Sequence, residues 1–340
     1  MNVLVTGGAG YIGSHAVLRL LEDGHAVTVI DDLSRGHREA MEILRPLGDL
    51  HFVEGDVSDT PLVAGLLRER AVDVVMHFAA LAYVGESVEM PLRYYRNNAA
   101  GTLALVEAMD EAGVGRMIFS SSCATYGEPA AEHIPIGEAC PQQPINPYGR
   151  SKLHAEHILL DYMQMKRRAD GDFALAILRY FNVAGSDRSG RIGEDHRPET
   201  HLIPICLEAA LGMRDAVTVF GTDYDTPDGT CIRDYVHVED LIDAHVTAME
   251  ALKQGTWLTY NAGIGRGYSV QEVIEATRRV TGIDFAEVQG PRREGDPPVL
   301  FADPAKIRTQ LGWTARHTEL QAIIETAWRW RRDHRQGYAS

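Results

Sequence analysis

The sequence is poor in cysteine and in positive charge. Its four cysteines (Cys123, Cys140, Cys206 and Cys231) are scattered among 340 residues, without the close spacing of a cysteine metal site. We therefore expect reduced thiols and a cytoplasmic protein, and we predict no metal site. Lys and Arg number 33 against 48 Asp and Glu, which gives a net charge of −15. This balance argues against nucleic acid or an anionic membrane as a partner.

Long apolar runs, internal repeats and low-complexity tracts are also missing. No run is long enough to span a bilayer, so we predict no membrane segment. The first apolar stretch starts at residue 2, and we expect no signal peptide. A chain of 340 residues can bury a large core as one elaborated domain or two.

A glycine-rich turn opens the sequence. Apolar residues 2–5 predict a buried strand, and a helical pattern follows the turn Gly7-x-x-Gly10-x-x-Gly13. Gly7 permits a tight exit from the strand, Gly10 lets the backbone approach a pyrophosphate, and Gly13 allows the helix to pack closely. The positive N-terminal end of that helix would face the phosphates. The turn predicts a dinucleotide site.

The end of the second apolar strand carries Asp31 and Asp32. A carboxylate there accepts hydrogen bonds from the adenosine ribose and repels a 2′-phosphate, so NAD is favoured over NADP. Arg35 could receive such a phosphate, but we interpret it as a solvated loop residue. Asp56 and Val57, after a third apolar stretch, lie where an acid could reach the adenine amino group.

Strand and helix patterns alternate along the first half of the chain. Strands are predicted at 2–6, 26–30, 50–53, 73–77, 116–121 and 174–179, and helices at 12–23, 36–47, 60–70, 97–113, 149–168 and 236–250. Repeated βαβ units predict the α/β class, with a doubly wound parallel sheet of the Rossmann type. Residues 1–180 would form the NAD-binding domain, rejoined by about 232–262. Residues 181–340 would form a smaller C-terminal α/β substrate region with long loops.

A Tyr-x-x-x-Lys pair, Tyr148 and Lys152, follows the dinucleotide turn. One helical turn apart, the two side chains share a face, so the ammonium would favour the phenolate. Ser122, at the end of the fifth strand, can hydrogen-bond the same reacting hydroxyl. Such a trio removes the proton of a secondary alcohol while hydride moves to a nicotinamide.

Longer motifs extend this pattern across the chain. They include Gly7-Gly8-Ala9-Gly10-Tyr11-Ile12-Gly13, His77-Phe78-Ala79-Ala80, Tyr94-Tyr95-Arg96-Asn97-Asn98, Ser120-Ser121-Ser122, Arg179-Tyr180-Phe181-Asn182, Arg233-Asp234-Tyr235 and Pro291-Arg292-Arg293-Glu294-Gly295-Asp296. In these motifs the chain resembles the extended short-chain dehydrogenase/reductases, and within them the UDP-galactose (UDP-glucose) 4-epimerases.

The resemblance implies an isomerase with no net redox change. Hydride leaves C4 of the sugar for bound NAD, the 4-keto sugar rotates, and hydride returns to its other face. The implied cofactor contacts are Gly7, Gly10, Tyr11, Ile12, Gly13, Asp31, Asp32, Leu33, Ser34, Asp56, Val57, Phe78, Ala79, Ala80, Asn97, Tyr148, Lys152 and Phe181. The implied UDP-sugar contacts are Ser122, Tyr148, Asn182, His201, Leu202, Thr218, Val219, Phe220, Arg233, Arg293 and Asp296. It also implies a homodimer through the helices at 97–113 and 149–168.

Two positions depart from the family pattern, and several activities remain open. Ala82 stands where many epimerases have a lysine at the cofactor phosphates, and Leu300 stands where some hexose-specific relatives have a tyrosine. UDP-arabinose/UDP-xylose and UDP-N-acetylhexosamine 4-epimerases are alternatives. A 4,6-dehydratase is disfavoured because Cys123-Ala124-Thr125 replaces its acid/base pair. A non-catalytic NAD-binding protein is disfavoured because Ser122, Tyr148 and Lys152 are all present.

Overall fold

The computed structural model describes residues 1–169, 171–293 and 296–338. The chain divides into two compact units: unit 1 contains Met1–Gly127, Gln142–Arg179 and Ile242–Tyr260, and unit 2 contains Glu128–Pro141, Tyr180–Leu241 and Asn261–Ser340. This division differs from the expected ranges in two segments. Residues 128–141 group with unit 2, because Ile136 exchanges backbone hydrogen bonds with residues 301 and 303. The return to unit 1 starts at Ile242 rather than near 232.

The core of unit 1 is a sheet that comprises, in the described part of the chain, seven strands in the order β11-β6-β5-β4-β1-β2-β3. The strands are β1 (Asn2–Thr6), β2 (Ala26–Asp31), β3 (Leu50–Glu54), β4 (Val74–His77), β5 (Arg116–Ser122), β6 (Ala174–Tyr180) and β11 (Trp257–Ala262). The pairs β1–β2, β1–β4, β2–β3 and β4–β5 are all parallel. Since β1 lies between β2 and β4, the strand order reverses there, which is where doubly wound sheets bind ligands.

Helices follow the strands of unit 1. They are α1 (Tyr11–Glu22), α2 (Arg38–Leu44), α3 (Thr60–Glu69), α4 (Val84–Glu89), α5 (Pro91–Tyr94), α6 (Gly101–Ala112) and α7 (Pro147–Arg168). Helix α9 (Val238–Ala251) belongs to unit 1 from Ile242 onward. Helices α3, α6 and α7 supply residues to one buried apolar cluster with the sheet, for example Leu67, Leu105 and Leu159. These apolar faces were visible in the sequence as residues at helical spacing.

Two predicted helices are interrupted. The stretch 36–47 is α-helical only to Leu44 and then becomes a 3₁₀ turn over Arg45–Leu47. Pro46 has no N–H to continue the α-helical bonding, so the helix ends before it. The stretch 97–113 begins as a π-type segment, Tyr95–Ala100, before α6. Such segments are rare in proteins, and those that do occur often lie at functional sites.

Unit 2 has short strands and its own helices. They are β7 (Asn182–Ala184), α8 (Leu202–Ala210), β8 (Val217–Phe220), β9 (Ile232–Arg233), β10 (Tyr235–His237), β12 (Tyr268–Ser269), α10 (Val270–Thr281), β13 (Glu287–Gly290), β14 (Val299–Leu300), α11 (Ala305–Leu311) and α12 (Leu320–Asp333). Helices α8, α10 and α12 share a second apolar core. Across the described residues, the chain forms no helix that combines the length and the apolar character needed to cross a bilayer.

Candidate active site

The turn between β1 and α1 is closely packed against the rest of unit 1. Gly7 has a φ of +69°, and a Cβ there would lie 2.6 Å from the backbone nitrogen of Ala79. A Cβ on Gly13 would lie 2.1 Å from the carbonyl oxygen of Gly7, so neither position admits a side chain. In the described structure no side chain caps α1 at Gly10. The N-terminal end of α1, which includes Tyr11 and Ile12, is therefore suited to an anionic group such as a pyrophosphate.

Asp31 lies at the carboxyl end of β2 and is 8% exposed. Its carboxylate accepts hydrogen bonds from the backbone N–H groups of Ala9 (2.9 Å) and Leu33 (2.9 Å). Burial raises the pKa of Asp31 above its usual value, while these two donors act in the opposite direction. The carboxylate is thus fixed beside the glycine turn. Asp32 is exposed and accepts from the N–H of Ser34.

Arg35 is not a solvated loop residue, contrary to the prediction. Its guanidinium lies 2.7 Å from Glu86 Oε1 and 4.6 Å from the ring centre of Tyr83. A guanidinium held in an ion pair and a cation–π contact is less available to a 2′-phosphate. Together with Asp31, this arrangement favours NAD over NADP.

The remaining expected cofactor contacts of unit 1 lie near the ends of β3 and β4 and on the π-type segment. Asp56 is exposed and Val57 is buried after β3, while Phe78, Ala79 and Ala80 are half-buried after β4. Asn97 Oδ1 accepts from the N–H of Leu81 at 3.1 Å. The adjacent Asn98 is buried and bonds both backbone groups of Leu81 and the hydroxyl of Ser151, a role that its place in the Tyr94–Asn98 motif did not reveal.

The predicted catalytic residues all belong to unit 1. Ser122 ends β5, and its Oγ accepts from the N–H of Ala124. Tyr148 is the second residue of α7 and Lys152 lies one turn later; both are buried. Asn146 caps α7, accepting from the N–H of Gly149 at 2.8 Å, and this cap fixes where the helix begins. The ring of Tyr148 packs in a small cluster with Leu81 and Tyr94.

Lys152 is held against the last residues of β5. Its Nζ donates to the carbonyl of Ser120 at 2.9 Å and lies 5.1 Å from the ring centre of Phe119. Burial lowers the pKa of Lys152 to about 7, because an ammonium loses hydration there. In its protonated form Lys152 carries a positive charge one helical turn from Tyr148, and such a charge favours the phenolate.

Glu156, one turn beyond Lys152, is an additional buried acid that the motif did not reveal. Its carboxylate accepts two hydrogen bonds from Arg179, at 2.9 Å and 2.6 Å, and one from Ser121 Oγ at 2.5 Å. Arg179 also donates to the hydroxyl of Tyr126. Extending the i, i+4 spacing from Tyr148 would have found Glu156 on the same face of α7.

In unit 2, several predicted substrate residues meet around the strands β8, β9 and β14. Arg233, on β9, forms an ion pair with Asp296 and donates to the carbonyl of Ile232. The guanidinium of Arg293 lies 3.9 Å from the ring centre of Phe220, at the end of β8. Arg293 and Asp296 also line a pocket of about 430 Å³. Guanidinium groups beside an aromatic ring suit a diphosphate linked to a base.

The other predicted substrate residues are distributed over unit 2. Thr218 and Val219 lie in β8, which pairs with β13 in parallel. Asn182 begins β7 beside β10, and the preceding Phe181, an expected cofactor contact, is buried. His201 and Leu202 lie at the start of α8, and both are half-buried. The roles of all these residues remain predictions.

A dinucleotide turn and a buried tyrosine–lysine pair in one Rossmann unit are typical of nicotinamide-dependent enzymes. The chain belongs to the NAD dependent epimerase/dehydratase family, which it matches over residues 3–263. It is similar to a UDP-arabinose 4-epimerase of Arabidopsis thaliana, with 50% identity covering 99% of this chain and 81% of the relative. It is also similar to a UDP-glucose 4-epimerase of Lactobacillus helveticus, with 49% identity covering 99% of both chains.

Among solved structures, a UDP-glucose 4-epimerase from Stenotrophomonas maltophila with bound NAD and formylated UDP-arabinopyranose superposes with a TM-score of 0.92. The two chains are 41% identical, and the match covers 99% of each. The predicted fold class, the resemblance to the 4-epimerases, the NAD cofactor and the isomerase class are thereby confirmed.

Proposed function

We propose that this protein interconverts UDP-glucose and UDP-galactose by transient oxidation at C4. The observation that carries the proposal is the placement of Tyr148 and Lys152, buried on one face of α7 in the unit that contains the glycine turn. NAD would take up hydride from C4 and return it, so that no net oxidation occurs.

The residues of this chain would manage the proton and hold the ligands. Tyr148 would take the proton of the sugar 4-hydroxyl and give it back to the other epimer. The positive charge of Lys152 would stabilise the phenolate, and Ser122 Oγ would hydrogen-bond the reacting oxygen. In unit 2, Arg233 and Arg293 would pair with the diphosphate, and Phe220 would contact the uracil.

A UDP-pentose 4-epimerase is a second candidate, favoured by one observation. UDP-arabinose 4-epimerases of plants match this chain as well as the UDP-glucose 4-epimerases do, at 49–50% identity. The pentose and hexose reactions share the same chemistry at C4, so Tyr148 and Lys152 fit both. The sugar pocket, not the catalytic pair, must decide between them.

A substrate panel distinguishes these proposals. The purified protein is incubated separately with UDP-galactose, UDP-N-acetylgalactosamine and UDP-xylose, and the C4 epimers are quantified by chromatography. We expect conversion of UDP-galactose to UDP-glucose with the highest kcat/KM. A higher kcat/KM for UDP-xylose would replace the proposal with the pentose activity. The absence of any C4 epimer would contradict both.

The base is tested by Tyr148→Phe. We expect kcat to fall by about 100- to 10,000-fold, which is the usual contribution of a positioned acid/base, while bound NAD is retained. Tyr162→Phe is the matched control, because Tyr162 lies on the same helix and its hydroxyl bonds Asp110 at the surface. We expect its kcat to be unchanged. Near-normal turnover in Tyr148→Phe would remove this residue from its role.

We also propose that the protein forms a homodimer through α6 and α7. Large apolar side chains are exposed on α6 and on α4 and α5, for example Leu103 (44%), Val88 (63%) and Leu92 (75%), and α4 and α5 both pack on α7. A second copy would remove this surface from water. We also propose a cytoplasmic location, because a few scattered cysteines without close spacing are typical of a protein with reduced thiols.

A further inference from the structure

Two glutamate and two histidine side chains lie close together in unit 2, immediately before α8. Glu194, His196, Glu199 and His201 each offer one potential metal-ligand atom, and these four atoms lie within 4.8 Å of one another. We call this group the Glu–His cluster. Cysteine spacing gave no sign of it, because its members are carboxylates and imidazoles.

Three distances within the cluster are close to those between ligands of one small ion. His196 Nδ1 lies 3.1 Å from Glu194 Oε1, and His201 Nδ1 lies 3.0 Å both from Glu194 Oε1 and from Glu199 Oε1. Zinc binds nitrogen and carboxylate oxygen at about 2.0–2.2 Å, so neighbouring ligands of a tetrahedral site are about 3.3–3.5 Å apart. At these three contacts the atoms would move apart by a few tenths of an ångström, while His196 Nδ1 and Glu199 Oε2, which are 3.7 Å apart, would move closer together.

The loop that carries the cluster is fixed from its other side. Gly193 and Asp195 alternate with cluster residues, and both bond Tyr338. The hydroxyl of Tyr338 accepts from the N–H of Gly193 at 3.0 Å, and the backbone N–H of Tyr338 donates to the carboxylate of Asp195 at 3.0 Å. Asp195 is therefore held away from the cluster. Glu199 is itself oriented by the N–H groups of Thr200 and His201, at 2.7 and 2.8 Å. Ligands supported in this way are typical of built metal sites.

Burial and charge favour a divalent cation. Glu194 and Glu199 are 8% and 9% exposed, and two carboxylates so far removed from water require two positive charges nearby. Imidazole nitrogen combined with carboxylate oxygen suits zinc and related divalent transition metals. Four protein ligands would leave no open position, which is the pattern of a structural rather than a catalytic site.

We propose that Glu194, His196, Glu199 and His201 bind one divalent transition-metal ion of the zinc class, which joins the loop 194–201 to the start of α8. The competing arrangement has two protonated imidazoles that supply the same two charges, with no affinity for metal. The two arrangements predict opposite outcomes in a metal-binding experiment.

The test uses the full-length protein with its NAD, stripped with a chelator and titrated with Co²⁺ and then with Zn²⁺. We expect one Co²⁺ per chain with the strong visible absorption of a tetrahedral site, displaced by one equivalent of Zn²⁺. We also expect Zn²⁺ to raise Tm. His196→Asn and Glu199→Gln should each weaken binding by at least about 100-fold, since loss of a supporting group alone typically costs 10- to 100-fold.

His51→Asn is the control, because His51 is exposed on β3 in unit 1 and its loss should leave binding unchanged. Glu194→Gln provides a second, nearly isosteric variant if His196→Asn does not fold. The proposal is overturned if fewer than half of the chains bind metal at micromolar Co²⁺, or if the cluster variants bind as tightly as the parent. It is also overturned if binding is lost only in His317→Asn, because His317 belongs to a separate group with His237 and Glu239.

Discussion

At the scale of single residues, His77 stands out as a buried imidazole in a continuous hydrogen-bond chain. The N–H of Ala79 donates to Thr6 Oγ1, so the hydroxyl of Thr6 can donate to His77 Nδ1 at 2.7 Å. On the other side, Thr102 donates to the carbonyl of Asn98, so its oxygen accepts from His77 Nε2 at 3.0 Å. All the hydrogen bonds in this series are made only when the imidazole of His77 is neutral. The series connects β1 and β4 directly behind the glycine turn.

The hydrogen-bonded, neutral state of His77 predicts that the free energy of unfolding decreases in acid. Burial and the charge of Lys152 lower the pKa of His77 to about 3, against an ordinary value of 6.5. Above pH 6.5 the imidazole is neutral in the folded and unfolded states, and its contribution is complete. As the pH falls from 6.5 towards 3, only the unfolded state gains the proton, so folding weakens by up to about 1.4 kcal/mol per pH unit.

Urea unfolding at several pH values between 6 and 4 measures this effect. We expect His77→Gln, which cannot titrate, to reduce the pH slope of the unfolding free energy by about one proton, although it lowers stability at pH 7. His51→Gln, which removes an exposed imidazole of the same sheet, is the control for the substitution itself. An unaltered slope in His77→Gln would show that His77 is not the group that titrates.

Which residues the sequence could reveal depends on how their partners are arranged. Tyr148 and Lys152 were found because a helix places i and i+4 on one face. Gly7 and Gly13 were found because the turn excludes any Cβ. His77 was seen only as part of a motif, since its partners Thr6 and Thr102 come from distant parts of the chain. Long-range pairing of this kind has no local spacing to detect.

At the scale of elements, the short pairing of β14 with β9 positions Leu300, which stands where some hexose-specific relatives have a tyrosine. Leu300 is 9% exposed and lies opposite Arg233 in parallel register. If Arg233 pairs with the diphosphate as proposed, Leu300 lies near the sugar. A leucine is smaller than a tyrosine and carries no hydroxyl. We therefore expect room for an N-acetyl group at C2.

The prediction is tested by kcat/KM for UDP-galactose and UDP-N-acetylgalactosamine. Leu300→Tyr should suppress the N-acetylated substrate about 5- to 150-fold more than the plain one, because overfilled space in a packed site typically costs 1–3 kcal/mol. Leu300→Met, which conserves volume, should leave the ratio unchanged. Equal losses on both substrates, or no parent activity on the N-acetyl sugar, would refute the idea.

The predicted ranges missed two helix boundaries that single residues decide. Helix α2 ends at Leu44, before Pro46, rather than at 47, and α7 begins at Pro147, after the cap Asn146, rather than at 149. The π-type segment before α6 could not be predicted, because its wider turn depends on packing around Asn98 rather than on residue type. The short strands of unit 2 were equally hidden, since two or three residues show no period.

At the scale of the whole molecule, the exposed apolar surface of unit 1 predicts dimerisation. Leu103→Glu places a charge on α6 where a second copy would pack, and we expect light scattering at micromolar concentration to change from a dimer to a monomer mass. Leu47→Glu is the control: Leu47 is similarly exposed (40%) but lies in the 3₁₀ turn after α2. A parent protein that is already monomeric would contradict the proposal.

The order in which the strands of the sheet occur along the sequence affects both the folding of the nascent chain and recombination between related genes. Strand β11, which starts at Trp257, completes the sheet beside β6, which ends at Tyr180. A nascent chain on the ribosome therefore carries β6 with a bare, apolar edge until residue 262 has emerged, and such edges invite aggregation. A truncation after residue 180 would leave that edge permanently open. For the same reason, one recombination event between relatives cannot exchange either unit intact, because each is assembled from three separate stretches of the gene.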